Sequence, residues 1–113
     1  MIYNLDKINE MAEGDNEFVL SVISVFLEEV PEDLKNLESA IETGDYEQTY
    51  KLAHKIKPNV DLLGLEQARL SALEIETTGR NSGDWEYIQK LFPVLKAAVD
   101  QVIEELRRDF DLA

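Results

Sequence analysis

From Phe18 to Ile41 the apolar residues recur at steps of three and four. Phe18-Val19, Val22-Ile23, Phe26-Leu27, Val30, Leu34, Leu37 and Ile41 mark one face of a helix. The phase runs straight through Pro31, whereas a new helix would usually shift it. One long helix over 16–43, kinked at the proline, is therefore expected. The same spacing recurs along the rest of the chain and alternating strand patterns are absent, so the fold class is all-α.

Turn and cap residues divide the pattern. Residues 4–12 read as a short first helix, with Gly14 ending it and Asp15 capping the next. Thr43-Gly44-Asp45 gives a stop followed by a cap. Tyr46, Thr49, Ala53, Ile56, Val60 and Leu63 then form a core-facing stripe that ends at Gly64. Residues 65–78 read as its antiparallel partner, with Leu65, Ala68, Ala72 and Ile75 buried and Leu70 and Leu73 widening the face. Residues 78–83 read as a loop, and Asp84 caps a last helical region with Ile88, Leu91, Leu95, Val99, Val102 and Leu106 inward. Pro93 is expected to kink or restart that helix. Helices of this length on short loops pack as antiparallel neighbours. The expected architecture is an up-and-down four-helix bundle with a short extra N-terminal helix. At 113 residues it forms one domain over 1–113.

Charge and composition narrow the function. A formal net charge of −13 argues against nucleic acid and against an anionic membrane surface. No apolar run approaches the ~20 residues of a membrane span, and the N-terminus has no basic region followed by an apolar run. The absence of cysteine fits a reducing compartment. The apolar stripes can satisfy one another within one bundle, so a monomer is expected. Many carboxylates, among them Glu28, Glu29, Glu32 and Asp33, read as a solvated helix face.

His54 is the only histidine. It lies roughly 130° from the centre of its helix's buried stripe, on the wet side, at ~100° per residue. Tyr50, Lys57 and Pro58 share that side. An exposed imidazole offers a neutral ring nitrogen near neutral pH. Lys57, one turn on, adds the positive charge that a phosphoryl group in transfer requires. Pro58 lacks the N–H that would bond the carbonyl of His54. The spacing alone equally describes a solvated helix face. A di-iron site needs Glu-x-x-His pairs on two helices, and residue 51 is Lys. A zinc site lacks cysteines and a second histidine. No phosphate-binding glycine loop or serine nucleophile elbow is present.

Ala53-His54-Lys55-Ile56-Lys57, followed by Leu63-Gly64, resembles the signature of histidine-containing phosphotransfer (HPt) domains of bacterial phosphorelays. Phe26-Leu27-Glu28-Glu29, Leu34, Leu37 and Gly44-Asp45 resemble the family's preceding helix, so the likeness covers about residues 18–76. It implies that His54 is the phosphorylated nucleophile, that Lys57 stabilises the phosphoryl group and that Gly64 is structural. Pro58 departs from the pattern, which has glycine there. The resemblance further implies a cytoplasmic phosphocarrier without kinase activity of its own. Its partners would be receiver domains of response regulators or a hybrid histidine kinase, docking around Tyr50, Lys51, Pro58 and Asp61. No cofactor is expected on this chain, because the magnesium belongs to the receiver. The alternative is a helical adaptor that binds a kinase or receiver without being phosphorylated. Met1 and the length fit a free-standing protein.

Overall fold

The computed structural model describes residues 2–110, and among them it is helical with no strand. Five helices follow one another: α1 (Asp6–Ala12), α2 (Asn16–Glu42), α3 (Tyr46–Leu62), α4 (Glu66–Arg80) and α5 (Trp85–Asp109). The expected aspartate caps form. Asp15 accepts hydrogen bonds from the N–H groups of Glu17 and Phe18 at 3.0 and 3.3 Å. Asp45 accepts from Gln48 at 3.1 Å and Asp84 from Glu86 at 2.9 Å. Each satisfies a donor that the first helical turn leaves open.

Helix α2 passes through Pro31 and α5 through Pro93 without interruption. A proline forfeits one backbone hydrogen bond. Breaking α2 there would rotate Val30, Leu34 and Leu37, all buried, off a common face. The cost of that exposure exceeds the lost bond.

The core takes Val19, Ile23, Phe26, Val30, Leu34, Leu37 and Ile41 from α2, and Ala53, Ile56 and Val60 from α3. From α4 come Ala68, Ala72 and Ile75, and from α5 Ile88, Phe92, Leu95, Val99, Val102 and Leu106. Consecutive helices pack on one another from α2 to α5, α2 also touches α5, and α1 lies on α2.

Five readings need correction. Helix α1 starts at Asp6 because the Asn4 N–H bonds the Leu63 carbonyl at 2.8 Å, tying the segment before α1 to the α3–α4 turn. Leu70 is exposed and Leu73 half-buried. They lie about 200° and 140° round from Ala68, and Leu73 lines a groove beside Lys57 of α3 instead of entering the core. Helix α4 continues to Arg80, so 78–80 are not loop; Gly79 is buried against Tyr50, where an added Cβ would sit 3.3 Å from the Tyr50 Cβ. In α5, Phe92 is buried and Leu91 only half-buried.

Asp33 is the fifth correction. It is 5% exposed, facing α3, and accepts a hydrogen bond from Lys55 Nζ at 3.0 Å. Its Oδ2 has no partner among the described residues.

Candidate phosphoryl-transfer site

His54 stands near the middle of α3, one residue after the fully buried Ala53, with its side chain 64% exposed. The stripe that buries Ala53 and Ile56 turns the imidazole outward, as the helical phase requires. Helix α3 runs on through Pro58, which is exposed one turn further along.

On the α4 side of His54 lies a carboxylate that the sequence reading overlooked. Glu76 is buried, and its two oxygens gather three hydrogen bonds. His54 Nδ1 lies 2.7 Å from Oε2, Lys57 Nζ donates to Oε1 at 2.8 Å, and Arg80 donates to Oε2 at 3.1 Å. Burial pushes the Glu76 carboxyl up. The hydrogen bonds from Lys57 and His54, together with their charges, outweigh that and hold it below its ordinary value. An ionised carboxylate only accepts hydrogen bonds, so the ring donates its Nδ1–H. The lone pair therefore resides on Nε2, on the ring's other side. A signal for Glu76 did exist. It adjoins Ile75 on the buried face of α4, and Arg80 follows at i+4, a favourable helical pair.

The remaining residues around His54 differ in availability. Lys57 is one turn away as expected, but its ammonium is engaged by Glu76 and its side chain is only 27% exposed. Tyr50 is half-buried, with the Arg80 guanidinium 5.2 Å from its ring centroid. Lys51 is exposed and bonds Glu47 at 2.7 Å. Asp61 is half-buried and paired with Lys7 of α1 at 2.7 Å, so its carboxylate is already occupied within the chain. Gly64 lies away from the imidazole. It adopts φ +69°, and a Cβ there would collide with the Asn4 side chain. The turn between α3 and α4 thus needs glycine for two reasons, in keeping with a structural part.

Among the described residues no three His, Cys, Asp or Glu side chains are grouped to hold a metal. What the site can do is nucleophilic. It presents an exposed ring nitrogen whose opposite nitrogen is pinned, beside two cations and at the edge of a groove lined by Lys57, Glu76 and Arg80.

Comparison with known proteins decides the family. The Hpt domain family matches residues 21–108, most of the chain. The chain belongs to the Hpt domain family. It is also 26% identical, over 104 residues, to the phosphorelay intermediate protein rdeA of Dictyostelium discoideum. That match covers 92% of this chain and 41% of the relative, so the chain spans about two fifths of that relative's length. No solved structure matches. Hpt domains are phosphocarrier intermediates of phosphorelays rather than kinases. No helix among the described residues is long and apolar enough to cross a membrane.

Proposed function

We propose that this Hpt domain carries a phosphoryl group on His54 between the aspartates of receiver domains. The observation that carries the reading is the imidazole itself, exposed on α3 and held at Nδ1 by Glu76 with Lys57 alongside. Nε2 attacks the phosphorus of a receiver's aspartyl phosphate, the Nε2–P bond forms, and the P–O bond breaks with its electron pair returning to the aspartate. The reverse step loads a second receiver. Lys57 has three donors on one ammonium, so it can keep Glu76 and also take a phosphoryl oxygen. Magnesium is supplied by the receiver and none is required from this chain.

The docking surface surrounds His54 and includes Tyr50, Lys51, Pro58 and, at its edge, Asp61. Partners are receivers of response regulators or of a hybrid kinase, met by a cytoplasmic monomer of one domain. Helices α2 to α5 form an antiparallel four-helix bundle. Supporting this, consecutive helices pack together and α2 meets α5. The molecule is 43 Å long, and a helix of the length of α2 spans about 40 Å.

The test is phosphotransfer from a phosphorylated receiver to the purified protein. Wild type is expected to acquire acid-labile, alkali-stable phosphate, and His54→Gln to acquire none. Label retained by His54→Gln refutes the assignment to His54. Receiver binding without label on wild type would identify an adaptor instead.

A further inference from the structure

The effect of Pro58 falls on the histidine's own backbone. In α3 the N–H at position 58 would bond the carbonyl of residue 54. Proline has no N–H, and its ring fills the place of that donor. The helix nevertheless continues to Leu62, so the His54 carbonyl has no donor four residues on. No side chain among the described residues takes over. Asn59 Nδ2 donates to the next carbonyl, that of Lys55, at 3.4 Å, and Lys57 Nζ is bound to Glu76. Pro58 lies about 40° round from His54 and about 6 Å further along, on the side opposite the buried stripe. Both residues are exposed, so the carbonyl that runs from one towards the other lies on the outward side of α3.

We propose that the His54 carbonyl is a recognition point for the docked receiver and that Pro58 is the specificity-determining residue that creates it, an inference that rests on the carrier reading above. A receiver whose aspartyl phosphate reaches Nε2 covers this part of α3 and shuts water out from the carbonyl. A receiver that brings an amide N–H to it satisfies a strong acceptor. One that brings an apolar group or another acceptor leaves the carbonyl buried and unpaired, which costs more than the bond itself returns. The exposed lysines nearby are engaged within the chain, Lys51 with Glu47 and Lys55 with Asp33, so the donor has to come from the partner. Selection then depends on a main-chain atom of the nucleophile's own residue, and Pro58 adds no charge to it.

The experiment uses the full chain with a panel of receivers. His54 is the only histidine, so histidine labelled with carbon-13 at its carbonyl marks this one group. In complex with a nitrogen-15-labelled receiver, wild type is expected to show a scalar coupling across the hydrogen bond from a receiver amide to that carbonyl. Pro58→Ala and Pro58→Gly each restore the N–H at position 58, and alanine is the better helix former. Both are expected to lose the coupling and to lower kcat/KM about fivefold, mainly through KM, for the receiver that wild type prefers, the scale of one neutral hydrogen bond. Transfer to receivers that wild type disfavours is expected to rise. No coupling in the wild-type complex overturns the proposal, as does Pro58→Ala that transfers to every receiver at the wild-type rate. A loss in Pro58→Gly alone also overturns it, because both variants restore the donor. Coupling in a wild-type complex that never takes phosphate refutes the carrier reading and leaves the carbonyl contact standing.

Discussion

Three hydrogen bonds converge on Glu76, and its stability contribution has a definite pH dependence. Burial disfavours the charged form, yet the bonds from Lys57 and His54 leave the carboxyl below the ordinary glutamate value of 4.5. A group whose pKa is depressed on folding adds stability above its unfolded value and loses it as pH falls through the folded one. Stability is therefore expected to decline below about pH 4.5, and Glu76→Gln to flatten that acid limb in denaturant titrations at several pH values. An unchanged acid limb would mean that the bonds to Glu76 contribute nothing to folding. Pro58, the residue that departs from the family pattern, is exposed and leaves α3 continuous. It changes the surface beside His54 without removing the histidine's support on the α4 side.

At the level of elements, α3 is held differently on its two flanks. Towards α4 the contact is close, with Ala53, Ala68 and Ala72 buried and Gly79 against Tyr50. Towards α2 a buried acid intervenes, Asp33, whose Oδ2 is unpartnered. Burying a half-satisfied carboxylate costs more than its single bond to a mostly exposed lysine returns. Asp33→Leu is expected to be stabilising by about 1–3 kcal/mol, measured as a shift in the urea midpoint. Lys55→Ala should shift the midpoint the other way, because it strips the acid of its partner. A destabilised Asp33→Leu would show instead that the pair contributes to the α2–α3 packing. The unbroken course of α2, α3 and α5 through three prolines follows the same logic of burial outweighing one lost hydrogen bond.

The whole molecule carries 24 acidic against 11 basic side chains. Several ion pairs among the described residues are solvent-exposed and contribute little, so like-charge repulsion dominates the long-range electrostatics. Salt shortens the reach of that repulsion to a Debye length of about 10 Å at 0.1 M. The melting temperature is expected to rise as NaCl is raised from about 0.01 to 0.2 M, and a fall would mean that the exposed pairs outweigh the repulsion. Five of the eleven cations, Lys51, Lys55, Lys57, Arg69 and Arg80, lie on α3 and α4. The helices that bear and support His54 are thus less acidic than the chain as a whole, so the surface around His54 repels an acidic molecule less than the rest does.

Periodicity was enough to place four long helices, the aspartate caps of three of them and the outward turn of His54, because each depends on residues within a few turns of one another. The motif around His54 was enough to point to the family. Glu76 and Asp33 were a different matter. Both are acids on helix faces; the adjacent Ile75 and Arg80 at i+4 hint at Glu76, but neither by itself separates a solvated carboxylate from a buried one. Their burial was decided by how α4 and α2 are rotated against α3, a result of packing the apolar stripes together. The same packing selected Phe92 over Leu91 and drew 78–80 into α4. Local sequence determined which helix face turns the imidazole of His54 outward. Tertiary structure alone determined which of its two nitrogens is free, since that depends on a hydrogen bond to a residue 22 positions away.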